Sequence, residues 1–321
     1  MCGAGGVRGA RLADGPRYRN CRAATRSVNW RNVRPVNGHP GVSARKRKVG
    51  AEPPPGDASP VSRLARFLPA PPAGATPLEE RTTWVFLLSI VLLVVFQYFG
   101  KPESYRGAMA ARLQPVADAL LGPHANMASV AHWGVMSIVL RLLIPFAVIL
   151  FVFREPLANY GWRWRGTLKH APLYVALYLI MVPLIVWAST QGSFQQKYPF
   201  YKGAAEGGAS FWLYELFYGA QFAGVEFFFR GFLTFALFRR FGYNALLIMA
   251  IPYVMVHFNK PLPETFGALG AALVLGALAL RAGSCVPGIF LHWAVGMTMD
   301  ILAIGKSVGG LGPALKAIFQ G

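Results

Sequence analysis

Residues 211–238 read FWLYELFYGAQFAGVEFFFRGFLTFALF. This stretch is almost entirely apolar and aromatic, and it exceeds the roughly 20 residues that a helix needs to cross a bilayer. It nevertheless contains Glu215, Glu226 and Arg230. Charged groups are costly inside a membrane, and those that occur there usually serve a function. We therefore expect a membrane-spanning helix that carries part of a functional site.

The rest of the chain has the composition of a polytopic membrane protein. Of its 321 residues, 54% are hydrophobic and only 14% are charged, whereas soluble domains carry about 25% charged residues. The predicted fold is all-α, a transmembrane helical bundle of about seven spans. The predicted spans are 84–99, 130–153, 172–189, 211–238, 243–258, 265–280 and 284–304. The apolar stretch 311–319 is too short to span, and we expect it along the interface.

Residues 1–80 form a separate region by composition. Up to residue 77 they contain fourteen Lys or Arg against three acids, with proline clusters at 53–55 and 71–72. So little apolar surface predicts a disordered tail. The basic cluster at 45–48 could bind nucleic acid or anionic lipid. However, it has no interleaved aromatic residues of the kind that RNA-binding segments contain. We expect a solvated tail and no nucleic-acid partner, followed by a transmembrane domain at 81–321.

The basic residues predict an orientation. Cytoplasmic loops of membrane proteins are enriched in Lys and Arg. The tail and the loops after the second, fourth and sixth predicted spans fall on one side and are basic, which places the N-terminus in the cytoplasm. Four lysines on the other side weigh against this orientation: Lys197, Lys202, Lys260 and Lys306.

Further polar residues recur at membrane depth in the fifth and seventh predicted spans. Tyr253 and His257 are four residues apart and share a helical face, as do Glu226 and Arg230. The seventh span contains His292. One carboxylate and two imidazoles on three helices suit water activation, because a carboxylate can accept a proton that an imidazole shares. The same three residue types can also bind zinc, although the chain contains no HExxH motif.

At these residues the sequence resembles the family of intramembrane glutamic endopeptidases that includes the CAAX prenyl proteases of the Rce1 type and bacterial bacteriocin-processing or self-immunity proteins. The family pattern is EExxxR, FxxxH and HxxxN or HxxxD on separate membrane helices. Here it is matched by 225–230, 253–257 and 292–296, and the resemblance covers roughly residues 160–300. It implies Glu226, His257 and His292 as catalytic residues, with Arg230 and Tyr253 in support.

Two positions depart from the family pattern. Val225 stands where the family has its first glutamate, the implied water activator, and Gly296 stands where it has Asn or Asp. Glu226 is then expected to act as the base, with Asp300 replacing the missing amide as a supporting residue. The run 257–264, HFNKPLPE, resembles a bacterial branch of the family, which implies a bacterial inner membrane.

The resulting hypothesis is an intramembrane endopeptidase that needs no cofactor, with a metal left open. Its partners would be the bilayer and a membrane-anchored protein or peptide substrate, cut near the cytoplasmic side. The alternative is a non-catalytic homologue that acts as a scaffold or immunity factor, which Val225 and Gly296 favour. A proton-coupled transporter is a third interpretation, although no inverted repeats are evident. Glu215, about 16 Å along the helix from Glu226, is expected to form hydrogen bonds at the outer end or to gate the substrate rather than to catalyse.

Overall fold

The computed structural model describes Pro60 and residues 78–320. The predicted disordered tail therefore lies outside the described residues, except for Pro60 and for its last three positions, where the first helix begins at Glu80. Every regular element among the described residues is helical. This agrees with the composition, because only helices and closed barrels satisfy the backbone inside a bilayer.

Six helices are long and apolar enough to cross a membrane, and a seventh apolar helix is shorter. Together they make the chain an integral membrane protein with an all-α bundle. In chain order the helices are α1 (Glu80–Gly100), α2 (Gly107–Val152), α3 (Leu168–Ala188), α4 (Gly192–Lys197), α5 (Gly208–Phe241), α6 (Asn244–Met255), α7 (Leu262–Ala282), α8 (Val286–Ser307) and α9 (Leu311–Gln320).

The predicted spans differ from these helices mainly at α2 and α6. Helix α2 begins well before the predicted start, and a 3₁₀ segment at Gly122–Met127 interrupts it. Gly122 there has φ 53°, which glycine adopts without a steric penalty. Helix α6 ends at Met255, three residues before the end of the predicted fifth span at residue 258. His257 lies in the turn that follows the helix.

Helix α5 is the centre of the bundle, and small residues let α2 approach it closely. A β-carbon on Gly134 would lie 2.6 Å from the backbone oxygen of Phe217, and one on Gly224 would lie 2.4 Å from Oγ of Ser137. Small residues at such contacts are the usual device for packing helices in membranes. Helix α8 packs on α5, and together α2 and α8 keep the polar residues of α5 buried.

The bundle has two ends, which we call the first and second ends. The first end contains the start of α1 and the ends of α2 and α5. There Glu155 binds Arg81 at 2.7 Å and accepts two hydrogen bonds of 2.9 Å from Arg239. The second end contains the end of α1, the end of α6 and the loops around 101–106 and 197–200. The site described below lies toward the second end.

Candidate active site

Glu226 and His292 form the central contact of the site. Nδ1 of His292 lies 2.8 Å from Oε1 of Glu226. The Glu226 side chain is fully buried, whereas 19% of the His292 side chain is exposed. An ionised carboxylate only accepts hydrogen bonds, so Nδ1 carries the proton and the other ring nitrogen, Nε2, is unprotonated in the neutral ring. The pair therefore presents a basic imidazole that a buried carboxylate orients.

Arg230 contacts the same carboxylate oxygen as His292. Its Nη1 atom lies 3.1 Å from Oε1 of Glu226, and both side chains are completely buried. The guanidinium also stacks on Tyr253, with Cζ 3.8 Å from the ring centroid. The helix widens into π-helical turns at Phe227–Leu233, directly after Glu226, a local geometry that is frequent at functional sites. Breaking such a buried pair from one side costs about 3–5 kcal/mol.

His257 approaches the same region from the end of α6. Its Nδ1 atom donates to the backbone carbonyl of Tyr253 at 2.8 Å, and its ring lies 4.7 Å from the Tyr253 ring, centroid to centroid. The carbonyl fixes the tautomer, so Nε2 of His257 is also an acceptor. Arg230, Tyr253 and His257 thus form one stack that begins at the Glu226 carboxylate.

A cavity of about 410 Å³ lies beside these groups. His257, His292 and Val225 are on its wall, and Glu226 is not among the lining residues. The position where the family pattern has its first glutamate therefore faces the cavity with an apolar side chain. Glu226 lies behind His292 and reaches the cavity only through that ring.

The glycine at 296 is part of a packed contact and leaves no vacant position. A β-carbon there would lie 2.8 Å from two ring atoms of Phe222. The Phe222 ring in turn packs on His292, with centroids 4.3 Å apart. An amide at 296 would require Phe222 to move, so the departure from the family pattern is accompanied by an aromatic ring that supports His292 directly.

Asp300 belongs to a different buried cluster, so the structure does not bring it to His292 as a substitute for the missing amide. Its Oδ2 atom accepts a hydrogen bond of 2.9 Å from Tyr214. Glu215 accepts one of 2.8 Å from Trp293, and the two carboxyls are close enough to interact. Eight residues of helix separate Asp300 from His292, which corresponds to about 12 Å along the axis.

Several residues of the site were not singled out from the sequence. Gln221 lines the cavity one helical turn before Val225, and its Oε1 atom is buried without a hydrogen-bond partner. Gly288 faces Glu226 from α8. The spacing of both residues could have indicated them, because each lies four residues from a site position, Val225 or His292. Arg141, from α2, also lines the cavity.

The cavity is at the second end of the bundle. Its exposed lining residues include Glu103, Arg106 and Asn259, which follow the ends of α1 and α6. Under the predicted orientation this is the side away from the cytoplasm. The expected orientation and the expected cleavage near the cytoplasmic side therefore do not agree with each other.

Among the described residues, no three His, Cys, Asp or Glu side chains converge in the manner of a metal site. No curated protein and no solved structure gives a significant match to the chain. The model of one protein family, described as type II CAAX prenyl endopeptidase Rce1-like, matches residues 208–298. That range contains Glu226, Arg230, Tyr253, His257 and His292. Residues 208–298 are thus an Rce1-like domain of the CAAX prenyl endopeptidase family.

Proposed function

We propose that this protein is an intramembrane endopeptidase that cleaves membrane-anchored proteins or peptides with a water activated by Glu226 through His292. The observation that carries the proposal is the 2.8 Å contact between His292 and the buried Glu226 carboxylate, at the wall of a cavity that solvent reaches. The Rce1-like domain supports a peptidase of this type.

The proposed reaction begins with a water in the cavity beside the two imidazoles. Nε2 of His292 accepts a proton from this water as its oxygen bonds to the scissile carbonyl carbon. The resulting imidazolium is stabilised by Glu226, in the way that a carboxylate supports histidine in hydrolase triads. The proton then passes to the leaving nitrogen as the carbon–nitrogen bond breaks, which yields a carboxylic acid and an amine.

His257 and Gln221 have supporting roles in this proposal. The unprotonated Nε2 of His257 accepts the second hydrogen of the water and so orients its lone pair toward the carbonyl. The Gln221 amide, on the same wall, donates a hydrogen bond to the oxygen that becomes negative in the transition state. Arg230 and Tyr253 position Glu226 and His257 without touching the substrate, and Asp300 has no part in the reaction.

The setting of the enzyme is part of the proposal. We place the N-terminus in the cytoplasm of a bacterial cell and the bundle in the inner membrane, as the basic loops and the run 257–264 favour. The partners are then the bilayer and a protein or peptide that it anchors. The substrate enters the cavity from the second end, where the exposed lining residues lie.

The test compares membrane-protein termini by mass spectrometry in cells that lack the gene and are complemented with defined variants. We expect a terminus that the native protein generates and that disappears with Glu226→Gln and with His292→Gln. Glu215→Gln is the matched control, because it changes another buried carboxylate of α5 that lies outside the cavity wall. We expect that control to keep the terminus.

Two outcomes would count against the enzyme. If native and Glu226→Gln cells yield the same termini, the chain is a non-catalytic homologue that binds such substrates as a scaffold. If Glu215→Gln also removes the terminus, the loss reflects misfolding of α5 instead of chemistry. His292→Gln separates these cases further, since it leaves the Glu226–Arg230 ion pair in place.

A further inference from the structure

Arg141 is a buried cation without a carboxylate. It lies within α2, and only 3% of the residue is exposed. Its Cζ atom lies 3.4 Å from the centroid of the Phe96 ring. Its Nε atom has no hydrogen-bond partner, and no described residue forms an ion pair with it. Arg230, the other fully buried arginine, has Glu226. A charge so placed in a membrane protein is costly unless something else binds it.

Arg141 lines the same cavity as His257 and His292. Four more basic residues line it, against a single acid, Glu103: Lys101, Arg106, Lys197 and Lys260. Only Lys260 has a carboxylate partner among the described residues, Glu264. The cavity wall therefore carries a strong excess of positive charge next to the proposed reaction centre.

Two of these cations, Arg141 and Lys197, act on a third, Lys101. Burial lowers the pKa of Lys101, Glu103 opposes this effect, and the charges of Arg141 and Lys197 lower the pKa further. The cation that follows α1, the one within α2 and the one at the end of α4 repel one another. An anion between them would relieve the repulsion and would give Arg141 the partner that the protein does not supply.

We propose that Arg141, with Lys101 and Lys197 at the rim, forms a subsite for a carboxylate of the peptide substrate. The inference rests on the proposed function, since the same cavity then holds the scissile bond. The planar guanidinium can bind both oxygens of a carboxylate at once. The carboxylate is either the free C-terminus of the substrate or an acidic side chain close to the cleaved bond.

The test measures binding and does not depend on cleavage. The protein carries Glu226→Gln, so that peptides persist, and is placed in nanodiscs of neutral phosphatidylcholine. The probes are fluorescent, palmitoylated peptides with four degenerate C-terminal residues, prepared as free acids and as C-terminal amides. A third pool consists of C-terminal amides in which one of the four residues is fixed as Glu. Fluorescence anisotropy gives the affinity of each pool.

We expect the free-acid pool, the Glu-containing amide pool or both to bind at least about tenfold more tightly than the plain amide. Arg141→Met should remove this preference. It should leave the melting temperature unchanged or raise it, because an apolar side chain of similar length replaces an unpaired charge. Arg165→Met is the matched control, since Arg165 is exposed and lies beyond the end of α2. This variant should keep the preference.

The two acidic pools distinguish the sources of the carboxylate, because a C-terminal subsite favours the free acid and a side-chain subsite favours the Glu-containing amide. The proposal is overturned if all pools bind equally, if none binds, or if the preference survives Arg141→Met. It is also overturned if phosphatidylglycerol in the nanodiscs abolishes the preference that depends on Arg141. A lipid phosphate would then be the group that Arg141 binds.

A cleavage assay on the same peptides, with native Glu226, separates the subsite from the protease. If the protein with native Glu226 cleaves the peptides and Arg141→Met does not change this cleavage, the subsite proposal is contradicted and the enzyme proposal stands. If binding shows the preference that depends on Arg141 but no peptide is cleaved, the enzyme proposal is contradicted and the subsite proposal stands.

Discussion

Gly288 packs directly against the carboxylate of Glu226. A β-carbon at position 288 would lie 2.8 Å from Oε2 of Glu226, closer than such contacts allow. Gly288 precedes His292 by four residues, so one face of α8 contacts the Glu226 carboxylate with both a glycine and an imidazole. A side chain at 288 would therefore displace the Glu226 carboxylate from its present position.

This contact predicts that Gly288→Ala displaces Glu226 and lowers the cleavage rate about 100-fold, because shifts near 1 Å in catalytic groups cost rates of that order. Gly270→Ala is the matched control in α7. A β-carbon there meets nothing within 4 Å, and alanine favours a helix over glycine by about 1 kcal/mol. Cleavage assays on both purified variants, with melting curves, check the prediction. Equal activity of the two variants would contradict it.

Val225 leads to a second prediction, since it lies on the cavity wall in place of a glutamate. Val225→Glu adds a carboxylate beside His257 and His292, where the basic lining compensates its charge. We expect cleavage to rise at least tenfold, because a positioned general base contributes about 10² to 10⁴ in rate. The comparison is the cleavage rate of native protein, Val225→Glu and the uncharged Val225→Gln.

An increase with Val225→Gln as large as with Val225→Glu would show that polarity alone matters at this position. A loss of activity with Val225→Glu would indicate that the Glu226–His292 pair does not tolerate a second carboxylate.

The buried cluster around Asp300 predicts effects on stability without effects on chemistry. Tyr214→Phe removes the hydroxyl that donates to Asp300 and leaves a buried carboxylate oxygen without a partner, at a cost of about 1–3 kcal/mol. Asp300→Asn can still accept that hydrogen bond, and we expect it to keep cleavage within about threefold of native. Melting temperatures and specific activities of both variants check this prediction. A large loss of activity in folded Asp300→Asn would return Asp300 to the active site.

Glu155 predicts an acid-dependent loss of stability at the first end of the bundle. Burial alone would raise the pKa of its carboxyl, but Arg239 and Arg81 hold that pKa below its usual range. A depressed folded-state pKa stabilises the protein above the unfolded value of about 4.3, and the stabilisation is lost as the pH falls through the folded-state pKa. We expect Glu155→Gln to melt at a lower temperature at pH 7.

The difference in melting temperature between native protein and Glu155→Gln should shrink at the acidic end of a pH series measured by scanning fluorimetry. Since Glu155 and Arg239 are partly exposed, the effect at neutral pH is small, below about 1 kcal/mol per pair. A difference that stays constant with pH would mean that the ion pairs contribute nothing to folding.

Most of the fold follows from hydrophobic length. The apolar stretches around α1, α3, α5, α7 and α8 exceed or approach membrane thickness, and each became a long helix. The end of α6 was harder to place, because apolar residues continue after the helix ends and only backbone geometry marks the turn at His257. The sequence predicts that a stretch is apolar, but it does not say where its helical hydrogen bonds stop.

The site was predictable where residues share a helix and less so where helices meet. Spacing alone put Glu226 and Arg230 on one face, and they form the ion pair. The supporting role of Asp300 stays a prediction. Its contacts with Tyr214 and Glu215 on α5 could not be predicted, because only the packing of α5 on α8 brings them together. Arg141 lies within the predicted second span, but the cavity that it lines is assembled from several helices, which the sequence does not reveal.

The position of the cavity at the second end of the bundle determines where the cleaved fragments appear. Insertion with the start of α1 in the cytoplasm would open the cavity toward the opposite side of the membrane, so soluble fragments of the proposed cleavage would leave the cell interior. Insertion in the opposite sense would return them to the cytoplasm, where they could signal. A single reporter of topology, such as a cysteine label at residue 103, would therefore show how the chain is oriented and on which side of the membrane the fragments are released.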